Sequence, residues 1–176
     1  NYKHLDQLYL MPAKETHLLV VNLAKQCIDN KYKLVVAESC TGGLVCHAFT
    51  AISGSSSWFD RGFITYSNQS KFDLVKVNMK TLSEHGAVSQ EVANEMAMGA
   101  ILNSQANISL SITGIAGPNG GSKHKPVGTV YFSICDKSSI LFEAKSTFGG
   151  GRNEIQEKAM LFAVNNLLKL TLKQQV

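Results

Sequence analysis

Three hydroxyls and one amine stand where apolar runs give way to small and polar residues. Ser39 lies in AESCTGG (37–43), directly after Leu34-Val35-Val36; Tyr66 and Lys71 lie in TYSNQSK (65–71); Thr113 closes NISLSIT (107–113). A serine hydroxyl is a poor nucleophile until a neighbouring base takes its proton. Histidine is the usual base, but His17 and His47 fall on expected helices, His85 precedes a glycine in a turn, and His4 and His124 lie in irregular stretches. A lysine serves instead if burial and nearby cations keep it neutral. Lys71 is therefore the candidate base for Ser39, and Tyr66 a candidate proton relay. Each also has an ordinary reading: a turn serine bonded to its own backbone, a solvated lysine, a core-edge tyrosine.

The same stretches could hold an anion. The N–H groups of Thr41, Gly42, Gly43 and Leu44 would open a helix and favour an oxyanion or a phosphate. AESCTGG is neither G-x-S-x-G nor G-x-x-x-x-G-K-[ST], so neither the α/β-hydrolase elbow nor the ATP P-loop is indicated. Ser39 is left as a nucleophile or as one wall of an anion site. Glu38 reads as orienting its neighbours, not as the base. The glycines of SITGIAGPNGG, Gly114, Gly117, Gly120 and Gly121, permit close backbone approach and an N–H nest; the alternative is a plain connection. Arg152, after Gly149-Gly150-Gly151, is either a phosphate or carboxylate clamp or a surface arginine.

Positioning these groups requires an α/β domain. Helical spacing predicts helices at about 16–29 (with Thr16 as cap), 42–52, 90–104 and 154–172, and a short one within 68–75. Strands are expected at 33–37, 62–66, 107–113, 127–135 and 139–148, the last two as a hairpin turning at Asp136-Lys137-Ser138. Strands alternate with helices early and pair by hairpin late. The expected fold is a single α/β domain with a mixed, partly parallel sheet flanked by helices, spanning 16–172 between a lead-in (1–15) and a tail (173–176).

The chain has 176 residues and a net charge of +4, from 17 Lys and Arg against 13 Asp and Glu. No basic run is long enough to track a phosphate backbone, so no nucleic-acid partner is expected. No apolar run approaches the roughly 20 residues of a membrane span, and the opening residues lack a signal-peptide pattern. Four scattered cysteines, Cys27, Cys40, Cys46 and Cys135, show no metal-ligand spacing and suit a reducing compartment, so a cytoplasmic location is expected.

AESCTGG, GSSSWFDRGFITYSNQSK, HGAVSQEVANEMAMGA, SITGIAGPNGGSKHKPVGTVYFSI and FGGGR, in that order, resemble the CinA carboxyl-terminal domain family, the nicotinamide-nucleotide amidohydrolases. The resemblance covers about residues 16–172. It implies a three-layer α/β/α fold, usually a homodimer, that deamidates nicotinamide mononucleotide to nicotinic acid mononucleotide and ammonia without a metal or other cofactor. By matching motif, the nucleophile falls on Ser39, the tyrosine and lysine on Tyr66 and Lys71, the strand-end threonine on Thr113, and the arginine on Arg152. Arg152 and the 114–121 loop would then hold the phosphate, and Thr113 would orient the substrate or the lysine. Much of the family has a proline and an acid where this chain has Gly149 and Gly151, a departure that loosens the backbone ahead of Arg152. Family members can carry a larger amino-terminal domain, for which 176 residues leave no room. Two other readings stay open: a module that binds a nucleotide without cleaving it, and an amidase or esterase for a non-nucleotide acyl group.

Overall fold

A computed structural model of the chain describes residues 13–173. Most of the expected lead-in and tail, residues 1–12 and 174–176, lies outside them. The helices are α1 (Ala13–Asp29), α2 (Leu44–Thr50), α3 (Asn68–Val75), α4 (Met79–His85), α5 (Gln90–Leu102) and α6 (Arg152–Lys173), with a 3-10 turn at Ser55–Ser57. The strands are β1 (Leu34–Glu38), β2 (Phe59–Ile64), β3 (Ile108–Gly114), β4 (Thr129–Cys135) and β5 (Ile140–Thr147). They form one sheet in the order β2-β1-β3-β4-β5. β1 runs parallel to β2 and β3, while β4 is antiparallel to β3 and to β5.

β1 is buried at all five positions because helices cover both faces of the sheet. Leu34 and Val36 pack with α1, α2 and α6, while Val35 and Ala37 pack with α5. β3 alternates in the same way: Ile108, Leu110 and Ile112 join the first layer, and Ser111 points to α5 and donates to the Ala93 carbonyl at 2.6 Å. The result is the expected three-layer α/β/α domain with a mixed sheet.

Differences from the sequence reading have local causes. Thr16 does not cap α1, which already runs from Ala13. β2 begins at Phe59, not Gly62, because Trp58 and Phe59 both pack edge-on against Phe49 of α2, at ring separations of 5.2 and 5.4 Å. Only seven residues long, α4 showed no readable periodicity; Asn78 caps it through the Lys80 N–H. The β4–β5 hairpin turns as expected, with the Asp136 carboxylate accepting from the Ser138 and Ser139 N–H groups.

The chain leaves β1 for α2 on one face and leaves the adjacent β2 for α3 on the other. Diverging connections of this kind open a crevice at the carboxyl ends of the strands, where ligands of α/β sheets bind. Ser39 follows β1, and Lys71 lies on the helix that follows β2.

Candidate active site

The turn after β1 is shaped by Glu38. Its side chain is fully buried, and an isolated buried carboxylate would be costly. It is satisfied by three N–H groups at the start of α2: Gly43 at 3.0 Å and Val45 at 3.2 Å on Oε2, and Cys46 at 2.9 Å on Oε1. Gly42 and Gly43, at φ 61° and 103°, supply the left-handed backbone that brings the helix start round onto this carboxylate. This corrects the sequence expectation for α2. Its amino terminus is filled by an internal anion and is not open to a substrate oxyanion or phosphate. Thr41, Gly42 and Gly43 accordingly do not line the cleft.

Ser39 is fixed from three sides. Its N–H donates to the Ile112 carbonyl of β3 at 2.9 Å, and the Glu38 carbonyl accepts from Thr65 N–H at 2.7 Å. The adjacent Cys40 carbonyl accepts from Gln156 Nε2 of α6 at 2.7 Å. Among the described residues, the N–H groups of Cys40 and Thr41 meet no oxygen acceptor. The Cys40 thiol is no rival nucleophile, because burial pushes it up to about 12.

Lys71 is buried, and its Nζ lies 2.9 Å from Ser39 Oγ and 2.6 Å from the Thr65 carbonyl oxygen, to which it donates. The Ser67–Ser70 capping box starts α3 and so fixes the turn on which Lys71 sits. Burial lowers the Lys71 pKa from its ordinary 10.5 to about 8. None of the described carboxylates forms an ion pair with it. The bonds close a ring: Glu38 carbonyl to Thr65, Thr65 carbonyl to Lys71, Lys71 to Ser39.

Ser39 and Lys71 open onto a cleft of about 170 Å³ that also has Tyr66, Asn68, Ala87, Val88, Gly114 and Arg152 on its walls. Thr113 lines the cleft as well, but neither its hydroxyl nor that of Tyr66 bonds Lys71. Tyr66 does not bridge Ser39 and Lys71: its exposed hydroxyl accepts from Arg152 Nη2 at 2.7 Å, and the amine reaches the serine directly. Thr113 does not touch Lys71, because its Oγ1 donates to the Ala87 carbonyl at 2.7 Å. Arg152 Nη1 donates to the Gly117 carbonyl at 2.8 Å, so the guanidinium spans the cleft rim between that loop and Tyr66. Of the loop glycines only Gly114 lines the cleft; Gly117 and Gly121 pack on Val127, and Gly120 lies outside, since the loop folds back on itself.

Asn68, Gln156 and the Ala87-Val88 pair were not singled out as site residues. For the last the signal was present, in the block HGAVSQEVANEMAMGA. For Gln156 there was none, since a helix-borne glutamine bonded to a carbonyl 116 positions away leaves no local pattern. Among the described residues, no group of three or more His, Cys, Asp or Glu side chains is arranged to hold a metal ion.

Fold and site together describe an α/β/α domain with a buried serine–lysine pair in a crevice between diverging connections. The family model for the CinA C-terminal domain matches residues 17–171, and the chain belongs to that family. The nicotinamide-nucleotide amidohydrolase PncC of Enterobacter agglomerans is 43% identical over 163 residues, covering 93% of this chain and 99% of that protein. A putative competence-damage inducible protein of Caldicellulosiruptor bescii is 51% identical over 142 residues, which cover 80% of this chain but 34% of that longer protein. The crystal structure of the competence/damage inducible protein CihA from Agrobacterium tumefaciens superposes with a TM-score of 0.85 at 39% identity, covering 88% of this chain and 94% of that one.

Proposed function

We propose that the chain hydrolyses the carboxamide of nicotinamide mononucleotide to nicotinic acid mononucleotide and ammonia, with Ser39 as nucleophile and Lys71 as its base. The observation that carries the reading is the buried Lys71 Nζ, 2.9 Å from Ser39 Oγ, with its pKa lowered to about 8 by burial. An amine in that state accepts a proton near neutral pH. Relatives named for this amidohydrolase activity at 43% and 46% identity support the choice of substrate.

Lys71 takes the Ser39 proton as the serine oxygen attacks the carboxamide carbon. The carbonyl oxygen becomes an oxyanion, and the N–H of Cys40, a wall residue of the cleft that meets no oxygen acceptor, is the nearest donor in sequence to receive it. Lys71 passes the proton to the leaving nitrogen, ammonia departs, and Ser39 is left as an acyl ester. Water, deprotonated by Lys71, cleaves the ester and restores the serine. The substrate ring is a pyridinium cation, and a charged Lys71 beside it would repel it, so substrate binding itself favours the neutral amine. Arg152 at the rim would grip the phosphate by exchanging its Tyr66 contact for phosphate oxygens.

The reading extends to a homodimer working in the cytoplasm, with no nucleic-acid or membrane partner. Exposed Ile64 and Phe72 on the open β2 side offer apolar surface for a second copy, and no described helix is long and apolar enough to cross a membrane.

The test is ammonia release from nicotinamide mononucleotide and from free nicotinamide, by the native chain and by Ser39→Ala. Release from the nucleotide only, lost in Ser39→Ala, is the expected result. Equal turnover of both substrates would point to a general amidase and remove the phosphate role of Arg152. No turnover by the native chain, with the nucleotide still bound, would leave a binding module.

A further inference from the structure

The turn joining α4 to α5 is held by more bonds than a short surface connection needs. All four of its consecutive carbonyl oxygens accept a side-chain hydrogen bond. His85 and Val88 accept from Lys125 Nζ at 3.1 and 2.6 Å, Gly86 from Ser89 Oγ at 2.9 Å, and Ala87 from Thr113 Oγ1 at 2.7 Å. Surface turns ordinarily leave such groups to water. Two of the donors come from distant parts of the chain, the end of β3 and the far side of the glycine-rich loop. Ala87 and Val88, the residues so held, are wall residues of the cleft that contains Ser39 and Lys71.

The cleft lining is mixed in chemistry. Tyr66, Asn68, Thr113 and Arg152 carry polar side-chain atoms, and the Thr113 hydroxyl is taken up by the Ala87 carbonyl, whereas Ala87, Val88, Gly114 and Ala116 are small and without side-chain polar atoms. Nothing larger fits at Gly114, where a Cβ would lie 2.7 Å from the Thr129 carbonyl oxygen. The group that carries the attacked carbonyl sits beside Ser39, where Ala87 and Val88 are among the walls it can meet. A flat ring makes closer contact with small apolar side chains than a branched chain does.

We propose that the 85–88 turn is the wall that selects a flat ring on the acyl side of the substrate, and that Lys125 is the positioning residue that sets its distance from Ser39. The proposal deepens the amidohydrolase reading and rests on it for the identity of the ring. Dispersion contacts fade within a fraction of an ångström. A wall that drifts therefore loses its grip on the ring before it disturbs the serine–lysine pair, and the loss falls on KM more than on kcat.

Lys125→Met keeps the aliphatic stem and removes both bonds; Lys125→Arg keeps two donors. With nicotinamide mononucleotide, Lys125→Met is expected to raise KM about tenfold while kcat falls less than about threefold, and Lys125→Arg to recover most of the loss. Amide hydrogen exchange over 86–89 should quicken in the methionine variant. A paired measurement uses an aryl and an alkyl fluorophosphonate of similar size, both labelling Ser39. The native chain should prefer the aryl reagent, and both Lys125→Met and Ala87→Leu should erode that preference while alkyl labelling persists. An unchanged KM, or aryl and alkyl labelling slowed by the same factor, overturns the proposal. If the native chain releases no ammonia from the nucleotide, the substrate reading fails, and the reagent pair still decides whether the wall selects rings.

Discussion

Two glycine turns in this chain open onto helices, and a glutamate closes each in a different way. At Gly42-Gly43 the glutamate is Glu38, buried at the end of β1 and receiving three N–H groups. At Gly149–Gly151 it is Glu154, exposed, receiving one N–H from Gly151 at 2.8 Å, while Lys158 Nζ donates to the Gly149 carbonyl at 2.6 Å. The first turn presents Ser39, whose oxygen meets the Lys71 amine and, in the proposed reaction, a substrate carbon. The second presents Arg152, a long side chain that reaches across a solvent-facing rim. Ser39, the proposed nucleophile, is held by a buried anion that has nowhere else to go, and Arg152, the proposed phosphate grip, by an anion that water can replace. The departure from the family pattern at Gly149 and Gly151 falls in the second turn, where Glu154 and Lys158 already tie the backbone, so the expected loosening is offset by those two bonds.

Breaking the buried closure should have the largest effect. Glu38→Gln removes the charge and turns an amide NH2 toward N–H donors that need an acceptor. It is expected to lower kcat by about a hundredfold and unfolding free energy by roughly 2–4 kcal/mol, read by ammonia release and urea titration. A near-native kcat would mean that the turn holds Ser39 without its anion.

The pH profile sharpens the comparison next, because the Ser39 oxygen that the first turn presents meets Lys71, whose pKa burial lowers to about 8. The Lys71 pKa is lowered by burial, so the neutral amine gains population as pH rises through about 8. The ratio kcat/KM should climb about tenfold per unit below that point and level off above it. A profile flat from pH 6 to 9 would remove Lys71 as the base.

The smallest effect is expected at the exposed closure. Glu154→Gln should cost at most about 1 kcal/mol of stability, since a surface helix-start carboxylate contributes no more than that. KM should rise by less than about threefold, with the pH inflection in place. A loss as large as that of Glu38→Gln would erase the distinction between the two turns.

The layers of the fold were legible because β1 and β3 are continuous apolar or small-residue runs, and α5 and α6 have long helical spacing. Ser39 and Lys71 were legible as candidates because their motifs sit at strand ends. Their mutual distance was not, since it depends on which face each connection takes. The hydroxyl partners of Tyr66 and Thr113 were not legible for a related reason. Both belong to the cleft, but their hydroxyls are claimed by Arg152 and by the Ala87 carbonyl, partners 86 and 26 positions away. Lys125 carried no signal, because a bond from an amine to a distant carbonyl has no sequence signature. Glu38 was read as an orienting residue, but that it would consume the donors of α2 required the positive φ angles of Gly42 and Gly43.

The β4–β5 hairpin turns next to the amino-terminal ends of the parallel strands, since Cys135 pairs with Ser109 at the start of β3. Its tip, Asp136 to Ser139, is thus at the opposite pole from Ser39 and is tied only to itself. A polar tip of that kind tolerates insertion. It is the natural place to splice a fluorescent reporter or a tether to a solid support without crossing the path of the substrate.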